Sequence, residues 1–386
     1  MELIILLSYL FRCNLIYLDN NATTLVDPRV AAAIYEAYLR FPSNPSSMHR
    51  LGQEGKKSLL RAREAIASYL GCLPQEIIFT SGGTESMNLL IHAALATSSK
   101  PHVITSSIEH ACVYKTLQAR GDRIDLTSLS PGLWGAPTAQ QIADALRPDT
   151  AAIIISAANS ETGVKADLEA ISHLALQHKV PLIVDGVALL GKEPVRLFPG
   201  ITGMGFSGHK IHGPQGTGFA FIRKGWRAHP QLIGGDQEYG WRAGTENLPG
   251  IIGLGVAVNL LQNELPAATE RMGLLKQEFE DRLKQELSGI TIHGEGPRLV
   301  NTSNISFHGM HGEDLLISLD LAGIAASHGS ACSSGALEPS RVLINMGISH
   351  KMARSAIRFS LSRFTTEEEL AVCVNTLQKL DFRCML

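Results

Sequence analysis

Between Asp27 and about Asn263, short apolar runs alternate with stretches of helical period, and this alternation constrains the fold more than any other feature of the chain. The runs are Glu76–Thr80, His102–Ser106, Ala151–Ser156, Pro181–Asp185 and Gly218–Ile222. They are apolar throughout rather than at every second residue, as in strands covered on both faces. Helical patterns fill several of the gaps, at Ser86–Ala96, Ala139–Leu146 and Asp167–His178. Strands alternating with helices predict an α/β domain with a mostly parallel sheet. After Pro249 the character changes. A long amphipathic stretch, Ile251–Leu287, leads to an apolar run at Leu299–His308 and finally to a charged helix from Thr366. This predicts a second, smaller α+β domain. The expected division is a large domain over residues 27–263, a small one over 17–26 and 264–386, and an N-terminal extension over 1–16. Met1–Phe11 is almost wholly apolar, but it is shorter than the roughly 20 residues of a bilayer span. It also lacks the basic start and small-residue cleavage site of a secretory signal. A strand packed on the body, or an over-extended start, is preferred to an anchor.

Apolar residues make up 45% of the 386-residue chain and charged residues 18%, enough for a sizeable core. A net charge of -2 gives no electrostatic reason to expect a nucleic-acid or membrane partner. The six cysteines, Cys13, Cys72, Cys112, Cys332, Cys373 and Cys384, are scattered and form no C-x-x-C pair. That spacing does not look like a disulfide framework or a zinc site. A reducing cytoplasm is the simpler expectation, and it leaves a thiolate free for chemistry.

Four constellations carry chemical potential. Phe79–Ser86 reads as a strand end, two glycines and a helix start, a place where free N–H groups bind anions. A plain capped turn fits the same residues. Leu182–Asp185 puts a carboxylate at the C-terminal end of a buried strand, where α/β ligands bind. Its partner is either a protonated ring nitrogen or a helix cap. Phe206–Pro214 sets Lys210 in a Gly-rich loop, with Ser207 and His209 beside it as phosphate-binding candidates. Lysine forms imines with aldehydes when its pKa is lowered by desolvation, although most loop lysines are merely exposed. Ser330–Gly335 places Cys332 among small residues, which suits an accessible thiolate, whereas Cys72, Cys112 and Cys373 are expected to pack. A cradle, a strand-end Asp, a loop Lys and a loop Cys, in that order, point together to a pyridoxal-phosphate enzyme.

At these residues the chain resembles the cysteine desulfurase family, within the fold-type I, aspartate-aminotransferase-like pyridoxal-phosphate enzymes. The likeness runs from Tyr17-Leu18-Asp19-Asn20-Asn21-Ala22-Thr23-Thr24 to Arg363-Phe364-Thr365-Thr366-Glu367-Glu368-Glu369, nearly the whole chain. The stretch Ser330–Ser340 resembles the active-site cysteine loop that separates desulfurases from related aminotransferases. The resemblance implies that Lys210 holds the cofactor as a Schiff base and moves the Cα proton, and that Asp185 keeps the pyridine nitrogen protonated. It implies that Gly83, Thr84, Ser207 and His209 bind the phosphate, and that Thr245 reaches the phosphate of a neighbouring subunit in a homodimer. His110 would stack on the ring and assist proton transfer, Ser160 would contact the cofactor, and Arg358 and Asn21 would bind the substrate. L-cysteine would yield L-alanine, with the sulfur held as a persulfide on Cys332 for a protein acceptor in iron–sulfur cluster or thio-cofactor assembly. Ser160 and Ala188 stand where the family usually has Asn and Gln donors to the cofactor's phenolic oxygen. Selenocysteine lysis, transamination on the same fold, and a degenerate binding protein are the alternatives.

Overall fold

Residues 15–40, 44–96, 101–226, 229–329 and 338–380 are described by the computed structural model. After a two-residue strand, β1 (Ile16–Tyr17), the apolar runs build one seven-stranded sheet. Its strands are β2 (Ile77–Thr80), β3 (His102–Ser106), β4 (Asp125–Leu129), β5 (Thr150–Ser156), β6 (Leu182–Asp185), β7 (Ile201–Ser207) and β8 (Gly218–Ile222), in the order β2-β8-β7-β6-β5-β3-β4. The neighbours from β7 to β4 are parallel. Strand β8 is antiparallel to both β2 and β7, so β2 runs the same way as β7. The C-terminal ends of β2, β3, β5, β6 and β7 therefore share one edge of the sheet, the edge at which open α/β sheets bind ligands.

Alternate residues of each strand face opposite sides. Ile153, Ile155, Val184 and Phe206 join a core with helices α1 (Pro28–Arg40) and α2 (Arg50–Leu70). Ala152, Ile154 and Ile183 join another with α3 (Gly83–Ala96) and α4 (Ala111–Gln118). Helices α5 (Ala139–Ala145) and α6 (Leu168–His178) add to the first. Each fully buried aliphatic side chain contributes about 1.5–3 kcal/mol, so Ile154→Ala, which also leaves a cavity, should cost about 2–5 kcal/mol.

Two strands differ from the expectation, each for a local reason. In β7 the sequence is Ile-Thr-Gly-Met-Gly-Phe-Ser, and glycine weakens the strand signal. The glycines are needed because α3 packs closely on β7. A Cβ at Gly203 would lie 2.5 Å from Leu90 Cδ2, and one at Gly205 would lie 2.8 Å from Met87 Sδ. Strand β4 is the outermost, half-exposed and polar, so it shows no apolar run.

Helix α7 (Leu248–Glu286) is long and apolar enough to cross a bilayer by length and composition. Its apolar side chains go instead into protein. Leu248 to Leu265 pack in the first core, and Leu275, Phe279 and Leu283 pack in a separate one with Leu18, Phe307 and Phe359. Pro266 lies between the two sets. The second core is built on an antiparallel sheet of β9 (Ile290–Ile292), β10 (Thr302–Phe307) and β12 (Ala356–Ser360), while β11 (Ile324–Ala325) pairs with β1. Helices α8 (Gly312–Leu321), α9 (Arg341–Asn345), α10 (His350–Arg354) and α11 (Glu367–Lys379) complete this part. Thr366 caps α11 in a reciprocal pair with Glu369. The segment 17–24 touches both parts: Asp19 bridges to Ser360, and Thr24 N–H bonds the His209 carbonyl at 2.9 Å.

Candidate active site

The sheet edge gathers most of the residues singled out from the sequence. After β2 the chain turns through Gly82 into α3, whose first-turn N–H groups have no acceptor inside the helix. Gly83 must be glycine here, since a Cβ would meet Val187 Cγ2 at 2.5 Å. Gly82, Gly83, Thr84, Ser207 and His209 line one cleft together with Ala22, Thr23 and Gln215. His209 Nδ1 lies 3.1 Å from the Thr23 hydroxyl. Burial, with the charges of Lys210 and Lys192, lowers its pKa to about 4, so the imidazole is neutral near pH 7.

Lys210 follows in a short 3₁₀ turn. Its amine donates to the carbonyls of Asn21 and Ala22, the latter at 2.8 Å. Asp185 ends β6, deep in the site. Burial pushes its pKa up, and His110 and Lys210 pull it back. Its carboxylate accepts from Val187 N–H at 3.0 Å and lies 3.9 Å from Cys112 Sγ. His110 caps α4, its Nδ1 accepting from Cys112 N–H at 3.2 Å with Cys112 Sγ 3.0 Å away.

Arg358, on β12, is 2% exposed and donates to Asp19 at 2.7 Å and to the Ser160 carbonyl at 3.1 Å. Among the described residues its Nε is buried without a partner, a donor suited to an anion. Asn21 differs from expectation. Both donors of its amide are taken, by the Ser160 carbonyl at 3.0 Å and Thr302 Oγ1 at 2.9 Å, and its Oδ1 accepts from Asn301. No amide donor remains for a substrate, so Asn21 serves as a strut joining Lys210, Ser160 and β10. Ser160 reaches this junction through its backbone carbonyl. Thr245 is exposed, outside the residues that line the cleft. Cys332 lies outside the described residues. The segments flanking it meet at Glu161: Ser340 Oγ donates to Glu161 Oε2, and a Cβ at Gly329 would lie 3.6 Å from Ser340 Cβ.

Three site groups carried no sequence signal. Glu109 is fully buried and holds the hydroxyls of Ser106 at 2.6 Å and Ser156 at 2.5 Å. Burial, with the Asp185 charge adding, raises its pKa to about 7 against the pull of the two serines. Asp19 orients Arg358, and Cys112 sits between His110 and Asp185.

The residues present fit pyridoxal phosphate. A cleft that a single Cβ at Gly83 would crowd, lined by helix N–H groups, suits a phosphate. A buried carboxylate at a strand end suits a cationic ring nitrogen, and the Lys210 amine shares the same edge of the sheet.

A family model of class-V aminotransferases matches residues 16–372. A curated cysteine desulfurase of Trichormus variabilis is 44% identical over 363 residues, 92% of this chain and 90% of that protein. A solved NifS-like protein superposes with a TM-score of 0.87 at 32% identity, covering 95% of this chain and 99% of its own. The structure titled "SspA in complex with cysteine" superposes at 0.80, also at 32% identity, over 91% and 99%. Fold, cleft and sequence thus agree, and the chain belongs to the class-V aminotransferases, in their cysteine desulfurase branch.

Proposed function

We infer that the protein is a pyridoxal-phosphate-dependent cysteine desulfurase, releasing L-alanine from L-cysteine and passing the sulfur to a protein acceptor. The observation that carries this is the convergence of Lys210, Asp185 and the Gly82–Thr84 turn at one sheet edge, in a chain that shares its length and fold with cysteine desulfurases. When bound, the cofactor supplies an electron sink for ionising the bond to hydrogen next to the substrate nitrogen. The protein's residues supply the rest. The Gly83 and Thr84 N–H groups, Ser207 and His209 hold the phosphate. Asp185 keeps a proton at the ring nitrogen, with His110 beside it. The Lys210 amine takes and returns the Cα proton. Arg358, steadied by Asp19, binds the substrate carboxylate through its remaining N–H groups. The Cys332 thiolate attacks the substrate sulfur, leaving a persulfide while the substrate carbon keeps the electron pair of the broken C–S bond. Loss of alanine completes the turnover.

Iron–sulfur cluster or thio-cofactor assembly is the proposed destination of the sulfur, and the cytoplasm the proposed setting. A homodimer is proposed as the working form, with Thr245 serving the partner's phosphate. Exposed Tyr35, Tyr38 and Leu39 on α1, and Ile233 at 89% exposure, support a covered face.

The test is Cys332→Ser. With L-cysteine it should still change the cofactor's absorption, because binding does not need the thiol, yet release no sulfide and carry no persulfide by mass spectrometry. A persulfide on Cys112, or undiminished turnover, would refute the assignment.

A further inference from the structure

Lys192 has no part in the reading above, yet it is only 3% exposed. Its amine donates to the carbonyl of Lys210 at 2.8 Å. Among the described residues no carboxylate lies within ion-pair reach of it. Adjacent Glu193 is taken by Lys165 at 2.6 Å and by Val300 N–H, and Asp27 is taken by Arg29 and Arg363. The charged and titratable groups around it are Lys210, Arg363, His209 and His212, all bases. Helix α7 adds Thr269, whose hydroxyl bonds the Lys192 carbonyl at 2.9 Å.

A buried ammonium without a counter-ion is costly. Here burial, with Lys210 and Arg363 adding, lowers the pKa to about 7. A methionine of similar length would pack there without that cost. The lysine therefore works against the stability of the fold at this point, and its hydrogen bond goes to the backbone of the one residue that must be able to lose a proton.

We propose that Lys192 is a positioning residue for Lys210, fixing its backbone and placing a second amine close by, so that Lys210 gives up its proton more readily. The proposal rests on Lys210 being the cofactor's lysine. Two neighbouring amines titrate as a pair, and each proton on one disfavours a proton on the other. A free-base amine is the form that adds to a carbonyl and that accepts a proton from a substrate. In this scheme no bond to Lys192 forms, and the proton Lys210 releases goes to solvent.

The experiment is a pH titration of the resting holoenzyme, following the absorbance of the bound cofactor, for the native protein, Lys192→Met and Lys192→Gln. Borohydride reduction and peptide mapping locate the cofactor in each. Both neutral variants should shift the midpoint upward, on the order of one pH unit and so about tenfold in proton affinity. Thermal stability of Lys192→Gln, which keeps a donor for the Lys210 carbonyl, should be equal to the native value or higher, which a residue retained only for packing would not give. A label on Lys210 with an unmoved or lowered midpoint overturns this proposal alone. A label on another lysine overturns the Lys210 assignment and this proposal with it. Loss of the cofactor or of the fold in Lys192→Gln as well as in Lys192→Met also overturns it, because the glutamine amide can still donate to the Lys210 carbonyl.

Discussion

Glu109→Gln gives a sharp test of the electrostatics on the acidic side of the site. Glu109 is fully buried, and burial raises its pKa from 4.5 to about 7 although two serine hydroxyls bond it. An acid with a raised folded pKa holds its proton longer in the native state than in the unfolded one. Below about pH 4.5 both states are protonated and the group contributes nothing to the balance. Between about pH 4.5 and 7 the native state binds more protons, so stability falls as pH rises. Above about pH 7 the full penalty remains. Two and a half units, at about 1.4 kcal/mol each, make it about 3 kcal/mol. Glutamine has no proton to lose. Its carbonyl can still accept from Ser106, and the Ser156 hydroxyl can turn to accept from its amide. The variant should therefore match the native protein near pH 4.5 and exceed it by up to about 3 kcal/mol at about pH 8. Urea unfolding of both proteins at a series of pH values, with equal excess cofactor, measures this difference. Infrared spectra should also show a carboxylic-acid band that titrates near neutrality and is missing from the variant. A difference that stays flat with pH, or a variant less stable at alkaline pH, would refute the reasoning.

Two further outcomes follow from the cleft and its wall. The resemblance sets Ala188 where the family has a donor to the cofactor's phenolic oxygen, so in Ala188→Gln the absorbance midpoint of the bound cofactor should fall by up to about one pH unit, each charge-assisted bond being worth about 1.5–3 kcal/mol; a midpoint that stays or rises contradicts this. Gly83→Ala drives a Cβ to 2.5 Å from Val187 Cγ2 and should weaken cofactor retention about tenfold, from an overpacking cost of about 1–3 kcal/mol. Adding Val187→Ala should restore retention, measured by dialysis against cofactor-free buffer, and failure to do so would rule out that contact as the cause.

Much of the frame was legible because burial on both faces leaves a plain mark on a strand. Val184 and Ile154 belong to continuous apolar runs, and their strands were found within a residue or so of their bounds. Strand β7 was not legible, because close packing against α3 demanded glycines where a strand usually shows branched residues. Strand β4 was missed because an outermost strand needs no apolar run. In the site, the place of Gly83, Asp185, Ser207 and His209 on one sheet edge could be read, because each stands at or just after a strand end. Asn21 was misread. Its neighbours in sequence gave no hint that Thr302, Asn301 and Ser160 would saturate its amide, since those partners come from distant parts of the chain. Glu109 and Lys192 left no trace for the same reason. What makes them unusual is burial beside Asp185 and Lys210, which depends on tertiary packing rather than on sequence pattern.

Those two misses belong together. On one wall, desolvation pushes the acids Asp185 and Glu109 up. On the other, it pushes the bases Lys192, His209 and His212 down. Both shifts favour neutral forms, and both are costs to folding near neutral pH. Environments that move acids and bases toward a common pH are what proton traffic requires. Both groups are pushed toward titration near neutral pH, Glu109 beside Asp185 and Lys192 beside Lys210. Small changes in charge at the ring nitrogen or at the Lys210 amine are thus felt by a titratable neighbour. If the two walls were coupled through the charge between them, Glu109→Gln would also shift the cofactor's absorbance midpoint. If each wall acts on its own group alone, that midpoint will respond to Lys192→Met and stay fixed in Glu109→Gln. The placement favours the second outcome, because Glu109 is bonded to Ser106 and Ser156 at the C-terminal ends of β3 and β5, where Ser156 stands in register with Asp185, whereas Lys192 is bonded to Lys210 itself.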